Sequence, residues 1–142
     1  MKNKLLFIAF LTLCSVSFMA CSSDDNDGGT SGDIVGKWSF EKTGIIVEGQ
    51  EVGYTYPHSC STQKDHIEFK SNGSGLDYRY NGACELDEDE NGWTWTVSGS
   101  SLKITDEHGT ANYEILTLNN STLKVKSTDS STEDMFIQFL RM

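Results

Sequence analysis

Residues 92–105 read Gly-Trp-Thr-Trp-Thr-Val-Ser-Gly-Ser-Ser-Leu-Lys-Ile-Thr, and this stretch decides the fold. Apolar and polar side chains alternate before the central Ser-Gly-Ser-Ser segment, and the alternation resumes after it. Alternation with a period of two on both sides of a short turn predicts a β-hairpin with one buried face and one solvated face. Most of the chain after residue 33 repeats this pattern, so we expect an all-β domain.

The connections between the predicted strands are short, which favours antiparallel neighbours in an up-and-down order. The pattern gives eight strands, or nine if residues 45–56 divide around an expected turn at Glu48-Gly49-Gln50. Residues 33–142 can close eight strands into a barrel, which leaves no exposed sheet edge. A β-sandwich is the structural alternative. A switch of apolar parity within residues 110–118 predicts a β-bulge near Ile115.

The first 20 residues have the composition of a targeting segment. Lys2 and Lys4 precede an apolar run at residues 5–19, which is shorter than the about 20 residues that span a bilayer. This order predicts a signal peptide, and the Ala20-Cys21 pair that ends it resembles the lipobox of bacterial lipoproteins. The resemblance implies that Cys21 becomes the first mature residue and carries a lipid, such as palmitate, that holds the protein on a membrane.

Residues 21–32 contain no large apolar side chain, so we expect a lipidated flexible tether before the barrel domain at residues 33–142. The acidic cluster Asp24-Asp25-Asn26-Asp27 resembles the surface-export signal of Bacteroidetes-type lipoproteins, which implies the outer face of the outer membrane. A generic solvated linker is the other interpretation, and it leaves the periplasmic face open. The net charge of −10 argues against nucleic-acid binding, because phosphates would be repelled.

The Asn72-Gly73 pair is a strong signal for a tight hairpin turn between predicted strands at residues 65–70 and 75–81. With these two residues at the centre of the turn, Cys60 and Cys84 lie within one residue of direct cross-strand registry. Disulfides persist in exported proteins, so we predict a bond between these two cysteines. Closing a loop of this size stabilises the fold by about 3 kcal/mol in the chain-entropy model.

Four blocks of sequence resemble a known family. Gly36-Lys37-Trp38 resembles the Gly-x-Trp signature of lipocalins, and residues 92–105, 113–118 and 121–126 resemble the lipocalin-like domain of Bacteroidetes lipoproteins. The resemblance covers nearly all of residues 33–142 and implies an eight-stranded calycin barrel. It also implies that Arg141, on the last strand, packs over Trp38 and seals one end of the barrel. Such cation–π stacking would contribute roughly 0.5–2 kcal/mol.

An interior rich in aromatic rings is the main functional feature of the sequence. Small barrels of eight strands hold either packed side chains or one small ligand. Buried tyrosine hydroxyls need partners, which favours a partly polar pocket near one barrel mouth. The candidates for the barrel interior and for ligand contact are Trp38, Phe40, Tyr54, Tyr56, Phe69, Tyr78, Tyr80, Trp93, Trp95 and Tyr113.

The sequence carries one weak metal motif. Asp87, Asp89 and Asn91, followed by Gly92, fit the first half of a calcium loop. The twelfth position is Ser98, where such a loop needs a bidentate glutamate, and half-motifs recur by chance in acidic segments. We therefore expect no metal site and no cofactor. The three histidines lie in separate segments without ligand spacing, and we expect them at the surface: His58, His66 and His108.

The sequence contains no nucleophile elbow, phosphate loop or HExxH motif, and its carboxylates lie mostly in predicted solvated loops. A general acid or base needs burial or a close partner to shift its pKa, so an enzyme is not expected. We expect a lipid-anchored envelope protein whose barrel binds a small apolar or amphipathic molecule. The alternative is a solid barrel whose loops, such as the acidic residues 85–91, contact a protein or a glycan.

Overall fold

The computed structural model describes residues 34–87, 92–129 and 134–142. The predicted signal peptide, the tether and Cys21 lie outside these residues. The ten elements are all strands: β1 (Gly36–Val47), β2 (Gln50–Thr55), β3 (His66–Phe69), β4 (Ser74–Tyr80), β5 (Leu86–Asp87), β6 (Trp93–Ser98), β7 (Ser101–Asp106), β8 (Gly109–Leu118), β9 (Thr122–Ser127) and β10 (Met135–Arg141).

Eight of these strands close into an antiparallel barrel. Strands β1, β3, β4, β6, β7, β8, β9 and β10 follow one another in hydrogen-bonded order, and β10 returns to pair with β1. This closure confirms the predicted up-and-down barrel and excludes the sandwich. Two short strands lie outside this closed order. Strand β2 pairs with β1, which is the expected division of residues 45–56, and β5, which was not predicted, pairs with β4.

The first strand is longer than the sequence predicted. It passes through a bulge after Phe40 and continues to Val47, so the apolar residues 45–47 belong to β1. The predicted turn forms at Glu48 and Gly49, whose φ angles of 50° and 78° are those of a two-residue hairpin turn. Strands β3 and β2 lie end to end along one side of β1, opposite residues 36–39 and 42–47. The β1–β2 hairpin therefore extends the barrel wall at one end.

The hairpin with which the sequence analysis began has the predicted faces. Trp93, Trp95 and Leu102 are buried, whereas the intervening Thr94 and Lys103 are exposed. The first turn residue, Gly99, has φ 59°, a conformation that side chains other than glycine rarely adopt. The predicted bulge in β8 is also confirmed, since the β8–β9 register shifts between Ile115 and Thr117.

The β3–β4 hairpin differs from the predicted register by one residue. Phe69 pairs with Gly75, and the Gly73 N–H donates to the Lys70 carbonyl at 3.0 Å. Gly73 has φ 82°. The loop is thus a three-residue turn that ends in a left-handed glycine, rather than a two-residue turn centred on Asn72 and Gly73.

This change of one residue reverses the two faces of β4. Asp77 and Arg79 line the barrel interior, and the prediction that Tyr78 and Tyr80 point inward is wrong. Tyr78 stacks on His66 with ring centroids 4.4 Å apart, on the outer face. Gly75 explains the choice of face, because a Cβ there would collide with the inward-facing ring of Trp93.

The barrel is closed at the end where β1 begins and β10 finishes. Trp38 is completely buried, and its Nε1 donates to the Ile34 carbonyl at 2.7 Å. The guanidinium of Arg141 lies 4.1 Å from the centre of a Trp38 ring and donates to the Val35 carbonyl at 3.0 Å. A Cβ at Gly36 would come within 2.9 Å of Arg141 Nη1. The glycine of the Gly-x-Trp signature therefore makes room for the arginine that covers the tryptophan.

The predicted disulfide between Cys60 and Cys84 is confirmed, with a Cα–Cα distance of 4.9 Å. Neither cysteine lies on a strand. Cys60 belongs to the segment that joins β2 to β3, and Cys84 follows β4. The hairpin brings these two segments to the same end of the barrel, where the disulfide links them.

Candidate functional site

A cavity of about 220 Å³ lies inside the barrel. This volume is below the roughly 300–1,000 Å³ of typical drug-sized sites, so the cavity suits a small molecule or a short segment of a longer one. All eight barrel strands contribute to its wall. The lining residues are Phe40, Ile67, Phe69, Asp77, Arg79, Trp93, Leu102, Ile104, Asp106, Tyr113, Leu123, Val125, Ile137 and Phe139.

Aromatic rings form much of the apolar wall. The ring of Phe69 meets those of Trp93 and Trp95 edge to face, with centroids 5.0 and 5.4 Å away. Phe40 and Phe139 pack on the adjoining strands with centroids 4.8 Å apart. Such contacts contribute roughly 0.5–1.5 kcal/mol each beyond area burial, which keeps these side chains in place around the empty space.

The polar part of the wall centres on Arg79. Its guanidinium stacks 4.0 Å from the ring centre of Phe40, and its Nη2 donates to Asp77 Oδ2 at 2.8 Å. Its Nη1 donates to Tyr56 Oη at 2.6 Å, and Tyr56 Oη donates in turn to Asp65 Oδ2 at 3.1 Å. Arg79 is therefore linked to Asp77 by a direct hydrogen bond and to Asp65 through the phenol of Tyr56.

The two donors in the middle of this hydrogen-bonded chain, Arg79 and Tyr56, stay protonated. Burial lowers the pKa of Arg79, but the hydrogen bond to Asp77 and the charges of Asp77, Tyr56 and Asp65 together raise it by more, so the net shift is upward. Burial also raises the pKa of the Tyr56 phenol, and the positive charge of Arg79 only partly opposes this effect. Tyr56 is thus a neutral donor to Asp65 at neutral pH.

His58 supports the same cluster from outside the cavity. Its Nδ1 accepts from the Asp65 N–H at 3.0 Å, and its Nε2 donates to the Phe40 carbonyl at 2.9 Å. An Nδ1 that accepts a hydrogen bond carries no proton. The approach of 4.0 Å between His58 Nδ1 and the Asp65 carboxylate is therefore not an ion pair.

The three histidines were predicted to lie at the surface, and this is correct for one of them. His108 is exposed, but His58 is half-buried and His66 is 5% exposed. His66 lies beneath the outward-facing ring of Tyr78, because the register of the β3–β4 hairpin pairs these two residues.

The ten aromatic candidates fall into three groups. Five form the buried core: Trp38, Phe40, Phe69, Trp93 and Trp95. Tyr56 and Tyr113 are half-buried beside the cavity. The remaining three lie outside it, since Tyr54 on β2 is 64% exposed and Tyr78 and Tyr80 are on the outer face of β4.

Tyr113 is the one tyrosine that lines the cavity. Burial is the largest cause that raises its pKa, and the negative charges of Asp129 and Asp106 raise it further. Its hydroxyl is therefore available as a hydrogen-bond donor at neutral pH.

Sequence reasoning missed the charged residues of the site: Asp65, Asp77, Arg79 and Asp106. The signal was present in residues 70–80. A three-residue turn that ends at Gly73 places Gly75, Asp77 and Arg79 on the inner face, and the alternation in β4 fits either choice. The two-residue turn was predicted because Asn-Gly is a strong signal for a tight hairpin turn, and that register places Tyr78 and Tyr80 inside.

An apolar surface continues from the cavity wall onto the β1–β2 hairpin. Thr43 pairs with Ile137, which lines the cavity, and the next position on that face, Ile45, pairs with Val52 and with Met135. The exposed fractions of Ile45, Val52 and Met135 are 45%, 61% and 43%. We call this surface the hairpin strip; its members are Ile45, Val47, Val52, Tyr54 and Met135.

The opposite face of the hairpin is packed. The ring of Phe136 is completely buried and lies against Gly44 and Gly53, where a Cβ would come within 2.9 and 2.8 Å of it. Lys124 lies 5.2 Å from the centre of this ring and forms an ion pair with Glu51 at 2.7 Å. These contacts fix the hairpin so that its apolar strip stays on the side of the cavity.

Of the weak calcium motif, Asp89 and Asn91 lie outside the described residues, and Asp87 is exposed on β5. Within the described ranges, no group of three or more potential metal-binding side chains comes together. No helix in that part of the chain is long and apolar enough to span a membrane.

Comparisons with known proteins agree with this architecture. A solved lipocalin-like protein from Bacteroides uniformis ATCC 8492 superposes with a TM-score of 0.60 at 12% identity, covering 78% of this chain and 100% of that one. No curated protein sequence matches the chain. The family described as the lipocalin-like domain matches residues 34–125, which include the Gly-x-Trp strand and most of the cavity wall. The chain therefore belongs to the lipocalin-like domain family.

Proposed function

We propose that this protein is a non-enzymatic binding protein that holds a small apolar or amphipathic molecule inside its barrel. The observation that carries the proposal is the cavity of about 220 Å³, whose wall combines aromatic and aliphatic side chains with a single group of polar residues. Such a combination is typical of ligand sites, in which apolar area supplies affinity and a few polar groups fix orientation.

The hairpin strip extends the site for longer ligands. A molecule with an apolar chain too long for the cavity would continue along Ile45, Val52 and Met135, which prolong the inner wall. Burying this strip under a chain would remove apolar surface from water, at roughly 25 cal/mol per Å².

The protonation states favour binding over catalysis. A general base works best with a pKa near the operating pH, whereas the pKa values of Tyr56 and Tyr113 are raised above their ordinary value. Arg79 is engaged by Asp77 and Tyr56 rather than directed at a nucleophile.

The binding test uses N-phenyl-1-naphthylamine, a neutral probe whose fluorescence rises in apolar surroundings. The purified protein should take up the probe, and Ile104→Trp should abolish uptake, because Ile104 lines the cavity and a larger ring would fill it. Lys103→Trp is the matched control, since it adds the same ring at the neighbouring exposed position of β7. Equal uptake by the wild type and Ile104→Trp would sink the proposal and favour a surface interaction module.

We propose in addition that a lipid on Cys21 anchors the protein in the outer membrane, with the barrel on the cell surface. The support is the order of the charged segment, the apolar segment, Ala20 and Cys21, followed by an acidic tether. Metabolic labelling with a palmitate analogue should be lost in Cys21→Ser and retained in Cys14→Ser. Protease treatment of intact cells should remove a surface-exposed barrel and leave a periplasmic one.

A further inference from the structure

Three charged side chains line the cavity, and their charges do not cancel. Asp77 and Asp106 are acidic and Arg79 is basic, so the lining has a formal excess of one negative charge. Asp65 adds another carboxylate directly behind Tyr56. The field in the cavity is therefore unfavourable for an anionic ligand.

Arg79 is already paired. Its Nη1 and Nη2 donate to Tyr56 and Asp77, and one face of its guanidinium lies on the Phe40 ring. A guanidinium has five N–H donors, but a ligand carboxylate that used the remaining ones would lie close to Asp77. The two negative charges would then repel each other.

Asp77, in contrast to Arg79, has an oxygen that accepts no hydrogen bond among the described residues. Its Oδ2 accepts from Arg79 at 2.8 Å, but its Oδ1 is inaccessible to solvent and has no hydrogen-bond partner among the described residues. A carboxylate oxygen without a donor is unfavourable, and rotation of the Asp77 carboxylate toward the cavity would let a donor on a ligand pair with it.

We propose that the cavity selects ligands whose head group is a cation or a neutral hydrogen-bond donor, with the Asp77 carboxylate as the acceptor, and discriminates against fatty carboxylates. This inference rests on the proposed binding function. The apolar wall takes the chain of the ligand, Asp77 takes an ammonium or hydroxyl head, and Arg79 holds Asp77 in position.

The test compares three ligands with the same chain, octylamine, octanol and octanoate, as competitors of the bound naphthylamine probe at neutral pH. Octylamine should displace the probe at a concentration about tenfold or more below that of octanoate, as expected for one charge-assisted hydrogen bond. Octanol should fall between them. An equal or greater affinity for octanoate overturns the proposal, and this series needs no variant.

Asp77→Asn keeps the shape of the side chain and removes its charge. It should bring the affinities for octylamine and octanol to within about threefold of each other. Glu68→Gln is the control, because it removes one negative charge from the outer face of the neighbouring strand and should leave the order unchanged. If Glu68→Gln weakens octylamine binding as much as Asp77→Asn does, the preference comes from net charge and the assignment of Asp77 is wrong.

Different results would contradict the binding function and the head-group selectivity. If octanoate competes as well as octylamine while Ile104→Trp still blocks probe uptake, the head-group selectivity is wrong and the binding function stands. If the wild-type protein takes up no probe, the binding function fails and the selectivity fails with it. Thermal unfolding of each variant shows whether a lost signal comes from a lost fold.

Discussion

Two arginines stack on aromatic rings of β1, one toward each end of the barrel. Arg141 lies 4.1 Å from the centre of a Trp38 ring, and Arg79 lies 4.0 Å from that of Phe40. Arg141 donates to the carbonyls of Val35 and Asn120, which are backbone groups of its own end. Arg79 donates to Asp77 and Tyr56, which are side chains beside the cavity.

The two cations differ in the groups that they hold. The backbone carbonyls that accept from Arg141 belong to Val35, next to β1, and to Asn120, in the β8–β9 turn, so that cation closes the end of the barrel. The carboxylate that accepts from Arg79 keeps one oxygen without a partner among the described residues, and under the proposed function that cation positions a group for a ligand. Similar stacking would then give a seal at one end and a receptor group at the other.

The largest expected effect is at the sealed end. Trp38→Ala should lower the free energy of unfolding by about 3–5 kcal/mol, as large-to-small changes of buried aromatic residues do, because Trp38 is completely buried. Tyr54→Ala at the other end should change it by less than about 0.5 kcal/mol. Denaturant unfolding of both variants measures the contrast, and equal losses would contradict it.

Removing the disulfide, which lies at the end of the barrel opposite Trp38, should give the next largest loss of stability. Cys60→Ser should lower the free energy of unfolding by about 3 kcal/mol, since the bond closes a segment with a sequence separation of 24 residues. Cys84→Ser should have the same effect, and the double variant should lose little more than either single one. A double variant with twice the loss would show that each cysteine stabilises the fold independently of the bond.

Arg141→Ala should have a smaller effect, about 1 kcal/mol for a partly exposed cation–π contact. Probe uptake should not change, because Arg141 is not part of the cavity wall. The comparison with Arg79→Ala sharpens the distinction between the two cations, because Arg79→Ala removes a positive charge from the cavity wall and should widen the gap between the affinities for octylamine and octanoate. If Arg141→Ala widened that gap as well, the two ends would not be independent.

The smallest effect is a pH dependence in the alkaline range. Burial raises the pKa of Tyr113 above its ordinary value of 10.0, so the folded protein holds this proton more tightly than the unfolded chain. The resulting stabilisation is fully present below about pH 10 and is lost as the pH rises through the folded-state pKa. Ultraviolet titration should show late-ionising tyrosines, and Tyr113→Phe should have one fewer of them while Tyr56 remains.

The sequence predicts the strand pairing correctly wherever the turn allows only one register. At β6–β7, alternation on both arms and the φ of 59° at Gly99 agree on which residues are buried. At β3–β4, the Asn72-Gly73 pair allows a turn of two or of three residues, and local preference does not decide between them. The decision comes from the Trp93 ring, which occupies the space of a Cβ at Gly75, and from Arg79 on Phe40.

The candidate site was harder to predict than the fold for the same reason. Its charged residues lie on the face of β4 that simple hydrophobicity would expose, and they become acceptable inside because they pair with one another. The seal at Trp38 was easier to anticipate, because it follows from the family signature and the order of the strands along the chain.

The break between β2 and β3 has a consequence for engineering. Strand β2 takes its alignment from β1, and β3 takes its alignment from β1 and β4, so neither strand pairs with the residues between them. The free energy of closing a loop rises only slowly with its length, and the bond from Cys60 to Cys84 ties this segment down. Foreign peptides grafted between Gln63 and Asp65 can therefore be displayed by this scaffold without rearranging its wall.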